Sequence, residues 1–207
     1  MIYKHIILDL EGTLFTSEKF KERTAQLAIE CVSDFFDITL ESSDILINSK
    51  KKELQLLNGY KPALSFSLLQ LGISLNNWAS YQSKAEFTDI INFNQGLNSF
   101  IKELSSKYNL ILYTNMCSEL SFKILQHLQI RKYFDPIITP QYLGTVKPNL
   151  EVVNHLINNK IIDITTTISV GDRYEIDITP FVKLGGKGFL VNQEKSLYSL
   201  KYFLNEK

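Results

Sequence analysis

Cysteine is scarce in this chain. Only Cys31 and Cys117 occur among its 207 residues, too few for a disulfide framework, which suggests a reducing compartment. As small apolar side chains, both are expected in a core. Net charge is lacking too, since Lys plus Arg and Asp plus Glu number 22 each. With no overall field to draw nucleic acid or an anionic membrane, any anion has to be held by a local site. No apolar run approaches the roughly 20 residues that span a bilayer, and the first residues show no basic segment followed by an apolar stretch. The three histidines, His5, His127 and His155, stand in unrelated contexts without metal-ligand spacing. There is no Walker sequence and no glycine-rich dinucleotide loop. Gly185-Gly186-Lys187-Gly188 lacks the following Ser or Thr and reads as a turn into a last strand. These absences lead us to expect a soluble cytoplasmic protein with no nucleic-acid or membrane partner.

What is present is apolar content, 44% of residues, enough for one substantial core and a small accessory domain, which excludes a disordered or fibrous chain. Short apolar runs bounded by turn or polar residues predict strands at 3–8, 110–113, 137–139, 166–170 and 188–191. Helical spacing separates them: Leu97, Phe100, Ile101 and Leu104; then Leu120, Ile124, Leu125 and Leu128; then Val152, Val153, Leu156 and Ile157. Alternation of this kind predicts an α/β fold with a doubly wound parallel sheet. Residues 16–92 break the alternation. Phe20, Thr24, Leu27, Ala28, Cys31 and Phe35 form one helical stripe, and Leu54, Leu57, Leu64, Leu68, Leu69 and Leu71 continue in helical style with breaks at Gly59, Pro62 and Gly72. The segment predicts a small helical domain. Its Ser49-Lys50-Lys51-Lys52-Glu53 run either meets an anionic substrate or, as the favoured reading, is a solvated helix face; Tyr60, Trp78 and Tyr81 either line a pocket or, as the favoured reading, belong to the segment's own core.

Four elements carry chemistry. Ile6-Ile7-Leu8 runs into Asp9, Glu11 and Gly12, placing a carboxylate at the carboxyl edge of a buried strand, where open α/β sheets bind ligands. Tyr113-Thr114-Asn115 ends the run Leu110-Ile111-Leu112. Lys147-Pro148 opens a helical stretch, with Pro148 suited to the first turn and Lys147 to the loop before it. Gly171-Asp172 follows Ile168-Ser169-Val170, with Asp177 further on. Each alone has a bland reading as a turn, cap or strand end. Together and in this order they resemble the haloacid dehalogenase-like hydrolase superfamily, in its phosphatase branch with a helical cap.

The resemblance implies a Rossmann-like core at 1–15 and 93–207 and a cap at 16–92. It implies an Mg2+-dependent phosphomonoester hydrolase acting on a small phosphorylated metabolite, as a monomer or homodimer. Asp9 is then the nucleophile that forms an aspartyl-phosphate. Glu11 stands where most phosphatases of the superfamily have Asp; it keeps the acid/base carboxyl group and argues against carbon–halogen cleavage. Mg2+ would be held by Asp9, Asp172 and the main-chain carbonyl of Glu11. Thr114 and Asn115 would donate to the transferring group, and Lys147 would lower the charge barrier before it. Asp177 either orients water or Lys147, or is a plain helix-side carboxylate. Arg173 either binds a substrate anion, or pairs with Glu175 or a cap carboxylate. A nucleoside 5′-monophosphate phosphatase of pyrimidine 5′-nucleotidase type, and a non-catalytic binding protein of the same fold, are the alternatives.

Overall fold

The five apolar runs form one parallel sheet of β1 (His5–Leu8), β2 (Asn109–Tyr113), β3 (Phe134–Ile138), β4 (Thr167–Gly171) and β5 (Lys187–Leu190), in spatial order β3-β2-β1-β4-β5. The computed structural model describes residues 3–192 and 194–205. Positions 1–2, 193 and 206–207 of the expected core segments lie outside the described residues. The central β1 pairs with β2 (Ile6 opposite Leu110, Leu8 opposite Leu112) and with β4 (Ile6 opposite Ile168, Leu8 opposite Val170). The chain builds outward from β1 to β2 and β3, then crosses back to β4 and β5. The switch point of this doubly wound sheet therefore lies between β1 and β4, where such folds open a crevice at the strand ends.

Side chains on each strand alternate between faces, and each face has its own core. Ile6, Leu8, Leu110, Leu112, Ile168 and Val170 pack on one side against α5 (Gln95–Ser105), α6 (Ser118–His127) and the last helix, α11 (Leu200–Asn205). Ile7, Ile111, Tyr113 and Ile138 pack on the other against α8 (Leu150–Asn158) and the short α9 (Thr179–Val182). Two further short helices, α7 (Pro140–Leu143) and α10 (Glu194–Leu197), complete the chain. Among the described residues, no helix is long and apolar enough to cross a membrane.

Between β1 and α5 lie four helices: α1 (Glu18–Phe36), α2 (Leu40–Asn58), α3 (Leu64–Gln70) and α4 (Leu75–Gln82). Side-chain caps start three of them, with Ser17, Thr39 and Ser74 accepting from the amides of Phe20, Ser42 and Asn77. Asp37 and Gly59 end the first two in left-handed conformation. Two expected stripe members lie outside the core. Phe35 is 45% exposed and Leu57 73%, because each falls in a final turn, past the last buried contact at Val32 and Leu54 respectively.

The third strand also departs from expectation, beginning at Phe134 rather than 137 and including Pro136. As an edge strand, β3 has one side of its ladder free, so a residue without N–H is tolerated there. Pro148 is not in the first turn of α8. Asn149 caps that helix, its side chain accepting from Glu151 and Val152, a service proline cannot perform.

The helical segment is tied to the sheet edge by buried polar contacts as well as apolar ones. Gln82, buried at the end of α4, accepts the Cys117 amide at 2.9 Å. Ser65 of α3 accepts from Trp78 Nε1 at 3.0 Å and donates to the Asn115 carbonyl at 3.2 Å. Gln82→Ala would strand a buried N–H and should lower unfolding free energy by about 1–3 kcal/mol in urea titration; an unchanged midpoint would show that the anchor contributes nothing.

Candidate active site

The first strand ends at Leu8, and the next residue still belongs to the ladder, with the Asp9 amide donating to the Val170 carbonyl at 3.0 Å. Asp9 therefore leaves the sheet at the switch point. The chain then turns tightly, the Gly12 amide donating to Phe15 O at 2.7 Å and the Leu14 amide to Leu10 O at 2.9 Å. Gly12 has φ +88°, and a Cβ built on it would lie 2.5 Å from the Asp172 carboxyl carbon. Only glycine fits, because the Asp172 carboxylate from the end of β4 rests against this turn.

Lys147 joins the two sides. Its ammonium is buried and donates to Asp9 Oδ1 at 2.6 Å and to Asp177 Oδ1 at 2.6 Å. Asp177 lies on a π-helical turn, Tyr174–Ile178, a form that recurs at functional sites. Its Oδ2 accepts the Arg173 amide at 3.0 Å, and its carbonyl accepts Ser169 Oγ at 2.6 Å. Gly171 makes room for it, since a Cβ there would overlap the Asp177 side chain. Of the two readings for Asp177, the one that orients Lys147 is the contact observed.

Asn115 departs from expectation. Its side chain clamps the Lys147 main chain, Oδ1 accepting from the amide at 2.6 Å and Nδ2 donating to the carbonyl at 3.1 Å. The side-chain amide expected to face a substrate is thus engaged in holding the Lys147 loop. Thr114 is placed differently. Its buried hydroxyl accepts the Met116 amide at 3.2 Å, which leaves its own proton to donate into the site.

The donor set suits a hard divalent cation. Asp9, Asp172 and Asp177 each bring a carboxylate oxygen within 4.8 Å of the others. Asp177 is engaged by Lys147 and the Arg173 amide, whereas the Asp172 carboxylate has only a backbone amide and, among the described residues, no side-chain donor. Asp9, Asp172 and the main chain at Glu11–Gly12, against which Asp172 rests, are the residues fitted to hold such an ion.

These groups open into a cavity of about 440 Å³ whose far wall comes from α1, α2, the 61–65 segment and Trp78. Burial pushes the Asp9 carboxyl up to about 7, against the opposing pull of Lys147 and with Asp177 and Asp172 adding to it. Burial likewise pushes Glu11 up to about 7, with Lys21 opposing and Asp172 assisting. Asp172 is raised by burial and by Asp177. Burial pulls the Lys147 ammonium down, but Asp177 and Asp9 outweigh it and hold the group above the ordinary lysine range.

Arg173 lines the cavity and donates to the Lys61 carbonyl; among the described residues it forms no salt bridge with Glu175 or any other carboxylate, contrary to the pairing expectation. Tyr60 and Tyr81 stay off the lining, as expected. Trp78 is buried in the helical core and also borders the cavity. Two lining lysines went unrecognised, Lys21 on α1 and Lys61, and a third, Lys51 on α2, lay in a run whose favoured reading was a solvated face. Lys51 had a signal. The buried stripe of α2 runs Ser43, Ile47 and Leu54, and position 51 falls on it, so the basic run is not uniformly a solvated face.

A family model described as haloacid dehalogenase-like hydrolase matches residues 6–185. The chain is 24% identical over 194 residues to a glyceraldehyde 3-phosphate phosphatase of Methanocaldococcus jannaschii, covering 88% of this chain and 82% of that one. Among solved structures, the HAD-hydrolase YfnB of Bacillus subtilis bound to magnesium superposes with TM-score 0.62 at 18% identity, covering 100% of both chains. A HAD phosphatase of Thermococcus onnurineus superposes with TM-score 0.60 at 17% identity, covering 98% of each.

The raised carboxyl groups fix how stability depends on pH. Asp9 and Glu11 have ordinary values of 3.8 and 4.5 and folded values of about 7. Between those limits the folded chain holds protons that the unfolded chain has released, so without a divalent cation stability should fall as pH rises through this window. A cation competes with those protons, so the rise in Tm produced by Mg2+ should grow between about pH 5 and about pH 8 and vanish in Asp172→Asn. Thermal melts with and without Mg2+ check this; an increment that shrinks with pH would contradict it.

Proposed function

The chain belongs to the haloacid dehalogenase-like hydrolase family, and from that premise we propose that it is a Mg2+-dependent phosphomonoester hydrolase working through an aspartyl-phosphate on a small phosphorylated metabolite. The observation that carries the reading is Glu11. It lines the same cavity as Asp9 and is raised to about 7 by burial. A carboxyl group that holds its proton near neutrality beside a nucleophilic carboxylate is what cleavage of a poor leaving group requires, since an alkoxide must be protonated as it departs. Carbon–halogen cleavage has no such need, because halide leaves unprotonated.

In this mechanism Asp9 attacks phosphorus and the ester P–O bond breaks. The departing oxygen takes the proton of Glu11. The Glu11 carboxylate then accepts a proton from water, whose oxygen attacks phosphorus, releasing inorganic phosphate and restoring Asp9. Lys147 keeps one Asp9 oxygen fixed, so the other is aimed, and its charge offsets that of the incoming phosphate. The Thr114 hydroxyl donates to a phosphoryl oxygen. Asp9, Asp172 and the Glu11 main chain would hold Mg2+, which would supply neutralisation of phosphoryl charge; the magnesium-bound structural relative supports that choice of ion.

The helical segment at 16–92 serves as a cap over a core at 1–15 and 93–207, closing the cavity against water and contacting the leaving group. The free, buried Cys31 and Cys117 support a cytoplasmic setting, with the enzyme a monomer or homodimer. A nucleotide substrate draws little support, because Trp78 is the one aromatic ring among the lining residues and it is committed to Ser65.

Glu11→Gln keeps size and hydrogen bonding but loses the proton. It should cost on the order of 10²–10⁴-fold on an alkyl phosphate and far less on a nitrophenyl phosphate. With the latter, breakdown of the aspartyl-phosphate becomes limiting and rapid sampling should show a burst of phenolate. Equal losses on both substrates without a burst would remove Glu11 from the acid role.

A further inference from the structure

The cavity holds more positive charge than the transfer of a phosphoryl group uses. Five cationic side chains, Lys21, Lys51, Lys61, Lys147 and Arg173, line it with four carboxylates, Asp9, Glu11, Asp172 and Asp177. Lys147 belongs to Asp9 and Asp177, and Lys21 lies 2.8 Å from Glu18. A divalent cation and a phosphate dianion cancel each other, and with Lys21 paired to Glu18 and Glu11 entering the reaction protonated, four cations face three carboxylates, so one positive charge remains. It resides on the helical side of the cavity, at Lys51 and Lys61. Among the described residues neither ammonium lies within salt-bridge distance of a carboxylate, whereas the neighbouring Lys50 is paired with Glu53 at 2.6 Å. Lys51 is turned inward by its position on the buried stripe of α2, and burial together with the nearby Lys61 pulls its ammonium below the ordinary lysine value. Asp44 offsets this only in part and forms no ion pair with Lys51, so the positive charge of the two lysines favours an entering anion. Arg173 reaches the same region, donating to the Lys61 carbonyl.

We infer that Lys51, with Lys61 beside it, forms an anion pocket for the leaving group, so that the preferred substrates are small phosphate esters bearing a second anionic group, such as a carboxylate, at the end remote from the ester. The inference rests on the phosphatase reading. Pro62, Ala63 and Leu64, following Lys61, and Ala25 on α1 add apolar lining beside the lysines. Lys51 is half-buried, which strengthens its hold on a charged terminus, while Lys61 adds charge from the exposed rim. A neutral terminus leaves the two ammonium groups uncompensated, and discrimination should follow.

The test compares 3-(phosphonooxy)propanoate with its uncharged amide, which differ only at the far end. Wild-type protein with Mg2+ should favour the carboxylate in kcat/KM by on the order of tenfold or more, the scale of one desolvated ion pair. Lys51→Met should bring that ratio close to one. Lys51→Arg should retain most of it, and Lys52→Met, on the exposed face, should leave it as in the wild type. Equal kcat/KM on the two esters, or a preference that survives Lys51→Met, overturns the pocket. If neither ester is hydrolysed, the phosphatase reading fails, and calorimetric titration of Asp9→Asn protein with the two esters and Mg2+ still decides the pocket. Tighter binding of the carboxylate, lost on adding Lys51→Met, upholds it; equal binding, or none, overturns it.

Discussion

Lys147 is buried, and an ammonium group taken out of water costs several kcal/mol unless opposite charges meet it; Asp9 and Asp177 do so, each at 2.6 Å. Removing Lys147 would leave two buried carboxylates without a counter-charge, and the contact ties the end of β1, the loop before α8 and the turn after β4 into one arrangement. The loop is held in turn by Asn115, whose side chain clamps both polar groups of the Lys147 main chain. The Asn115 carbonyl is held by Ser65, and Ser65 by Trp78. An unbroken series of hydrogen bonds therefore runs from the helical segment to the nucleophile. The position of α3 and α4 is thereby linked through Ser65 and Asn115 to the loop that carries the ammonium.

The electrostatic design follows from the same contact. One ammonium cannot neutralise Asp9, Asp177 and the nearby Asp172, so in the absence of a cation the cluster retains a proton and its carboxyl groups titrate high. A divalent ion at Asp9 and Asp172 would meet the deficit. Glu11 faces the same cavity but rests on the turn rather than on Lys147, and burial keeps it in the range where it exchanges protons near neutrality.

Much of this was legible in the sequence where local pattern and burial agree. The five strands, the helical insertion and the strand-end positions of Asp9, Thr114 and Asp172 follow from apolar runs that each end in a polar residue, because a central parallel strand must be apolar along its length. What was not legible depends on partners distant in sequence. Nothing local tells that the Asn115 amide faces Lys147 rather than solvent, since the two residues are 32 positions apart. Pro148 carries the same helix-start signal as a residue in the first turn, and only the stronger capping geometry of Asn149 decides between them. Lys51 was hidden in a basic run, although its place between Ile47 and Leu54 on one helix face marks it as inward. Phe35 and Leu57 show the converse: apolar spacing persists past the point where the helix has anything left to pack against.

The central claim is that Asp9, fixed by Lys147, takes the phosphoryl group. Its most direct test is acid quenching of the enzyme within its first turnovers of a phosphate ester with Mg2+, followed by peptide mapping by mass spectrometry. The account predicts a phosphoryl group on Asp9 that is stable in acid and removed by hydroxylamine, absent from Asp9→Asn, and depleted in proportion when Lys147→Met slows its formation. Sustained hydrolysis of the ester with no phosphoryl group found on Asp9, or with turnover intact in folded Asp9→Asn protein, would contradict it.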